Sequence, residues 1–230
     1  VTDADTGIAY LKQLVTAIQL IPTTMVGTNS AYLASVGATA NEAALHIQRH
    51  GGEIFYVNKD GDDANDGSTP HLAKLTIQDA IDSAAAGDAI SVKAGTFAEN
   101  VDMDEVGLEL WPEIGTVIAP ASGTPLTVSA NFCKIWCPGG SLKVMPAANE
   151  TSVAVTGQFC YLSDIRATCD SSADIGFFVG SAADNTEGDG CVFDNCRCSS
   201  PLIAAFKLQA DKLKLDRCYT GGESGDSSIG

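Results

Sequence analysis

Apolar residues in this chain keep two different periods. Near the start they recur every three or four positions; from Ile54 onward they alternate over short runs separated by polar turns. Ile8, Leu11, Val15 and Ile18 stand three, four and three residues apart, the spacing of a coiled-coil seam, widened by Leu14 and Ile21. Thr2-Asp3 is placed to cap this helix, and Pro22 ends it. A polar link, Thr23 to Ser30, leads through Ala31–Val36 to Gly37 and a second helix. Thr39-Ala40-Asn41-Glu42 fits a capping box for it, Ala43, Ala44, Leu45 and Ile47 continue it to His50, and Gly51-Gly52 closes it. The first helix fits either an amphipathic helix packed on its own domain or a short bundle between identical chains, and the second is favoured. Residues 1–52 therefore read as a helical oligomerisation or attachment region, and residues 53–230 as a separate body.

In the body, Ile54–Val57 reads as a short strand running into an Asp/Gly/Asn loop. Thr76, Ile77, Ala80, Ile81 and Ala84 predict a helix whose stop is Gly87-Asp88. A strand at Ala89–Lys93 follows, Ala94-Gly95-Thr96 turns the chain, and Phe97 and Val101 return it to apolar surface. Beyond this point an apolar–other–apolar triplet recurs: Leu108-Glu109-Leu110, Cys133-Lys134-Ile135, Cys160-Tyr161-Leu162, Cys191-Val192-Phe193 and Leu213-Lys214-Leu215. The intervals from Leu110 onward are 25, 27, 31 and 22 residues. A second column precedes the later triplets: Leu126-Thr127-Val128, Val153-Ala154-Val155, Phe177-Phe178-Val179 and Phe206-Lys207-Leu208. Period-two triplets at such intervals predict stacked coils of a solenoid, each strand turning one face inward. Leu108, Cys133, Cys160, Cys191 and Leu213 should form one interior file, and Leu110, Ile135, Leu162, Phe193 and Leu215 the next. The run Ser181–Gly190 reads as an exposed insertion in the longest coil.

The run YVNKDGDDANDG followed by TIQDAIDSAAAGDAISVKAGTFAENV resembles the entry segment of the pectin-lyase-like right-handed parallel β-helix superfamily. The resemblance implies a mainly β fold with a capping helix at the N-terminal end of the solenoid. It also implies a choice of roles, since the superfamily includes polysaccharide lyases, hydrolases, viral tailspikes and inert fibres. The usual proline–aromatic approach to the helix is replaced here by Thr69-Pro70 and His71-Leu72-Ala73-Lys74-Leu75.

Charge narrows the choice. Asp plus Glu number 29 against 13 Lys plus Arg, a formal net charge of −16, which repels nucleic acid and anionic membranes. No apolar run is long enough to span a bilayer. The chain opens on Val1 without a signal-peptide pattern, as a processed or partial chain would. It closes on GGESGDSSIG with no recognisable cap, so continuation past Gly230 or cover by another chain is expected. The eight cysteines fit no known zinc spacing and read as buried small hydrophobes, in keeping with assembly in a reducing cytoplasm.

Candidate chemistry is sparse. Asp194 and Asp216 are placed to face one another on adjacent coils; Arg166 and Arg197 occupy equivalent positions four residues after Leu162 and Phe193. Ser163 shares the Asp194–Asp216 column, and Asp164, Asn195 and Arg217 make a neighbouring one. Paired carboxylates suit glycoside hydrolysis, and an arginine base with calcium is what the resemblance implies for lyases. The alternative is stacked turn and solvent-face residues. Trp111 and Trp136 are the only tryptophans, and no aromatic stripe of a sugar cleft is expected. Asp60, Asp62, Asp63, Asn65 and Asp66 are dense enough in oxygens for calcium but lack the twelfth-position Glu of an EF-hand, and an Asx-rich turn explains them equally. His46 and His50 stand four apart without a nearby third ligand. No cofactor is expected. The reading favoured by the resemblance is a bacteriophage structural protein, a tail fibre, tailspike or head-decorating fibre, assembled in the host cytoplasm. It would form a homotrimer through residues 5 to 50, join other virion proteins through residues 1–52, and have a host surface glycan as a further candidate partner. A polysaccharide lyase or hydrolase, or a bacterial surface β-helix, is the alternative.

Overall fold

A computed structural model describes residues 52–137, 142–147, 150–169, 175–181, 186–199 and 203–221. The helices, the trimer contact and the His46–His50 pair read from the first fifty residues lie outside the described residues. The described chain enters on β1 (Ile54–Val57), passes a 3₁₀ turn (Pro70–Leu72) and helix α1 (Ile77–Ser83), and then repeats a three-strand coil. Those coils are β2 (Ala89–Val92), β3 (Thr96–Phe97) and β4 (Val101–Met103), then β5 (Glu109–Pro112), β6 (Val117–Ile118) and β7 (Leu126–Val128). Next come β8 (Lys134–Ile135), β9 (Leu142–Val144) and β10 (Thr151–Val155), and β11 (Tyr161–Ser163), β12 (Ile165–Thr168) and β13 (Ile175–Gly180). The last are β14 (Val192–Asp194), β15 (Arg197–Ser199) and β16 (Ala204–Gln209), followed by β17 (Lys214–Asp216) and β18 (Tyr219–Thr220).

Three sheets result. Sheet A runs β1-β2-β5-β8-β11-β14-β17, sheet B runs β3-β6-β9-β12-β15-β18, and sheet C runs β4-β7-β10-β13-β16. Every pairing is parallel and joins one coil to the next, so the body is a parallel β-helix. Ile90, Leu110, Ile135, Leu162, Phe193 and Leu215 pair in sequence, the register that the triplets predict; all but the last are buried, while Leu215, expected inside, is exposed. Beside it, Leu108, Cys133, Cys160 and Cys191 are buried. The amides of Lys134, Tyr161, Val192 and Lys214 donate to the carbonyls of Leu108, Cys133, Cys160 and Cys191, which fixes the same register. The second predicted column is sheet C, with Val101-Asp102-Met103 added ahead of it. Sheet B is the element that periodicity does not reveal: its strands are two to four residues long, too short to show alternation.

Helix α1 caps the first coil through Ile77, Ala80 and Ile81, all buried against β1, β2 and β4. Thr76 accepts from the Asp79 amide, and the Glu99 carboxylate accepts from the amides of Ile77 and Gln78, so its first turn is fully capped. The helix ends at Ser83, earlier than Gly87-Asp88 suggests. Asp88 is the reason: its carboxylate accepts from the Ala85 amide at 2.7 Å and the Glu53 amide at 2.7 Å, drawing the alanines out of the helix. Gly87 still takes the left-handed conformation.

Each coil turns into sheet A through one left-handed residue. Gly87, Gly107, Phe132, Phe159, Gly190 and Lys212 occupy that place, with φ running from 55° at Phe159 to 85° at Gly87. From Gly87 to Gly190 the amide of each donates to a carbonyl one coil on. A second left-handed column, Asp164, Asn195 and Arg217, makes the corner between sheets A and B. A non-glycine residue there costs roughly 1–2 kcal/mol, less for Asn and Asp than for a bulky side chain. Asn195 recovers part of it by donating from Nδ2 to Asp164 Oδ1 at 2.7 Å.

Candidate functional site

The corner between sheets A and B gathers most of the candidate residues. Ser163, Asp194 and Asp216 pair along the outward face of sheet A. Strand spacing of about 4.8 Å sets Asp194 and Asp216 side by side, a repulsive arrangement unless cations intervene. They do. Arg217 donates from Nε and Nη2 to Asp194 Oδ1 at 2.9 and 2.6 Å, and from Nη2 to Oδ2 at 2.6 Å. Lys214 stands 3.6 Å from Asp216 Oδ2. Tyr161 adds its hydroxyl to Asp194 Oδ2 at 3.2 Å. The Arg217 hydrogen bonds hold the Asp194 carboxyl below the usual aspartate range. Burial and the Asp194 carboxylate push the Tyr161 phenol up. A carboxylate held ionised with both oxygens engaged is poorly suited to act as a general acid. Asp194 thereby links residues of three consecutive coils.

Arg166 and Arg197 are paired, as their spacing predicts, on the outward face of sheet B. The same column includes Lys143 before them and Tyr219 after them. Arg197 Nη1 donates to the Tyr219 hydroxyl at 3.0 Å. Thus the two arginines and the two aspartates lie on different sheets, with the Asp164–Asn195–Arg217 corner between them. Arg217, the residue that engages Asp194, was legible as a member of that corner column but not as its partner.

The Asp60–Gly67 loop is built around an internal cation. Lys74 is 5% exposed and donates from Nζ to the Asn65 carbonyl at 2.9 Å, the Asp63 carbonyl at 3.3 Å and Asp79 Oδ2 at 2.5 Å. Asp63 accepts from the amides of Leu75 and Thr76 and from the Thr76 hydroxyl. Asp62 and Asp66 close turns onto the amides of Ala64 and Ser68, and Asn65 donates to the Ala73 carbonyl. The Asp60 amide donates to Asn58 Oδ1. The ammonium of Lys74 thus bonds the backbone carbonyls of the loop, while the Asp62, Asp63 and Asp66 carboxylates accept from nearby amides. Among the described residues no cluster of three or more His, Cys, Asp or Glu side chains is arranged to hold a metal ion.

All eight cysteines are free, seven of them buried. Cys169 Sγ lies 3.5 Å from Cys198 Sγ. A hydrogen bond from the Cys196 thiol brings the half-exposed Cys218 thiol down to about 7, and the same contact, with burial, pushes Cys196 up.

Aromatic residues are better organised than their small number suggests. Tyr56, Ser91 and Trp111 pair in one outward column of sheet A, and the Trp136 amide donates to the Leu110 carbonyl, which sets Trp136 beside Trp111. Trp111 Nε1 donates to Glu109 Oε2, and Lys134 bridges to the other Glu109 oxygen. This column was hidden because the two tryptophans stand 25 residues apart, one coil length.

No protein-family model matches the chain, and no curated protein matches it. Among solved structures, a rhamnogalacturonan lyase is similar with a TM-score of 0.45 and 16% identity, over 77% of this chain and 60% of that one. The chain therefore spans less than two thirds of that protein.

Proposed function

We propose that this chain is a structural protein of a bacteriophage particle, a tail fibre, tailspike or head-decorating fibre whose β-helix forms the exposed body. The observation that supports a structural rather than a catalytic role is the engagement of Asp194. The best candidate for acid–base chemistry is held by Arg217 from the next coil and by Tyr161 from the preceding one, in the manner of a fastening between coils. The resemblance of the entry segment to the superfamily that includes tailspikes supports the viral setting, and eight free thiols suit assembly in a reducing host cytoplasm. In this reading residues 1–52 join the body to other virion proteins and to two further copies of the chain.

A polysaccharide lyase or hydrolase is the second reading. It draws on the flanking of one corner by Asp194 and Asp216 on sheet A and Arg166 and Arg197 on sheet B. An antibody raised against the purified chain separates the readings when gold-labelled and applied to phage particles from a producing culture. Label on tails or heads supports the first; label confined to cell envelopes or culture supernatant supports the second. Sedimentation of the full chain and of residues 53–230 tests the assembly: trimer and monomer respectively are expected. A monomer in both removes the trimer, and a trimer in both moves its contact onto the β-helix.

A further inference from the structure

The left-handed column leading into sheet A places two phenylalanines where glycine serves on neighbouring coils. Gly87, Gly107 and Gly190 adopt the conformation without a Cβ penalty, yet Phe132 and Phe159 take it at φ 62° and 55°. The strain yields no core packing, for the two rings are 54% and 53% exposed. They stack on one another, centroids 5.5 Å apart and planes 10° from parallel. The turn into sheet A requires this conformation on every coil, so what calls for a use is the choice of phenylalanine, with its ring in solvent, where glycine would carry no strain.

The pair leans toward one end of the solenoid. A Cβ built on Gly190 would meet the Phe159 ring at 2.5 Å, so that ring lies over Gly190. At Gly107, on the other side of Phe132, a Cβ would find only Gly87 backbone atoms at 3.7 and 3.8 Å and no part of the Phe132 ring. A Cβ on Gly87 would meet nothing within 4 Å. Two coils without side chains therefore form a shelf preceding the half-exposed Phe132 in this column. Polar groups border the rings: the Asn131 side chain accepts from the Gln158 amide, and the Gln158 side chain donates to the Thr186 carbonyl. Asp189 stands next to Gly190 and accepts from the Asp211 amide.

We infer that Phe132, together with the Gly87–Gly107 shelf, is a stacking subsite for a neutral hexopyranose ring of a surface polysaccharide. The negative face of an aromatic ring attracts the C–H face of a pyranose, and bordering amides suit its hydroxyls. Size decides against a protein partner. Two half-exposed phenylalanines offer about 200 Å² together, against the roughly 800 Å² per partner of a stable interface. Charge decides against an acidic sugar, since the chain carries a formal −16 and Asp189 borders the rings. The inference rests on the proposal that this β-helix is the exposed body of a phage fibre, and it develops the host surface glycan that the sequence names as a candidate partner.

The test is saturation-transfer NMR on the full chain with neutral oligosaccharides of glucose, galactose, mannose and rhamnose, and with oligogalacturonate as the acidic probe. Ring C–H protons of at least one neutral oligosaccharide should receive saturation. Phe132→Gly removes the platform and installs the residue that three other coils already use there. Gly107→Asn fills the shelf with a side chain that tolerates the left-handed conformation. Each should retain the parent far-UV circular dichroism and weaken binding at least tenfold. No transfer to any neutral probe, transfer to oligogalacturonate alone, or binding unchanged in both variants overturns the subsite. Gold label on phage particles without sugar binding defeats the subsite and leaves the virion proposal standing; sugar binding without label on particles does the reverse.

Discussion

Arg217 reaches across the coil boundary to Asp194 and meets both carboxylate oxygens with Nη2, each at 2.6 Å. The Asp194 carboxyl lies below its ordinary value of 3.8 because of this contact. A carboxyl whose folded value is depressed stabilises the fold above its unfolded value and loses that contribution as pH falls through the folded one. Asp194→Asn is therefore expected to be less stable than the parent chain by a constant margin from about pH 8 to about pH 5, with the margin closing below about pH 4. Urea denaturation of both proteins across that range checks it. Arg217→Ala should lower stability at neutral pH, and the Asp194→Asn, Arg217→Ala double variant should be little worse than either single one.

Phe193 sits at the centre of the aromatic part of the core. It is fully buried, pairs with Leu162 and Leu215, and meets Phe177 and Phe206 edge-on at 5.9 and 6.3 Å. Phe193→Ala removes these contacts and leaves a cavity in a stack that cannot collapse without bending its ladders. A loss of about 3–5 kcal/mol is expected in chemical denaturation. Leu215→Ala, in the same file but at a position 39% exposed, should cost distinctly less.

The contrast between these files and the corners marks what the sequence reveals. Leu110, Ile135, Leu162 and Phe193 are legible because a strand alternates with period two and one face is buried, so register follows from apolar spacing alone. Sheets A and C announce themselves in this way. Sheet B does not: β15 is three residues, Arg197–Ser199, parted from β14 by two residues without a Gly or Pro turn signal. Left-handed glycines are foreseeable, but nothing in the letters of Phe132 or Phe159 announces a positive φ. The Asp194–Asp216 and Arg166–Arg197 pairings were legible as equivalent positions on neighbouring coils. Which carboxylate Arg217 would engage was not, because a long side chain at a corner can turn toward either sheet.

Lys74 organises the loop before α1. Lys74→Met keeps the apolar stem and removes the ammonium, leaving the Asp63 and Asn65 carbonyls and Asp79 without their donor. A loss of about 2–3 kcal/mol is expected, within the range for hydrogen bonds to a charged group, since Asp79 keeps access to water. Millimolar calcium should leave the melting temperature of the parent chain unchanged, because the Asp62, Asp63 and Asp66 carboxylates already accept from amides of the loop. A calcium-dependent rise in the parent chain would show that the loop takes the metal despite Lys74.

Cys218 should be the reactive thiol. It is partly exposed and brought to about 7 by the hydrogen bond from Cys196, whereas the other seven cysteines are buried. Brief treatment of the native chain with iodoacetamide should alkylate Cys218 alone, at a rate that rises with pH and levels off above about 8. Peptide mass spectrometry identifies the site, and the remaining seven should react only in denaturant. Non-reducing digestion should reveal no Cys133–Cys160 or Cys160–Cys191 bridge; finding one would overturn the view of that file as packing.

The corner residues are expected to fasten coils rather than cleave a substrate. The most direct measurement is product release by the purified full chain from acidic and neutral polysaccharides, followed both as new reducing ends and as unsaturated ends. The predicted result is no release above the level of a heat-denatured control, for the parent chain and for Asp194→Ala and Arg197→Ala alike. Release by the parent chain that either substitution abolishes would contradict the account and assign the corner to catalysis.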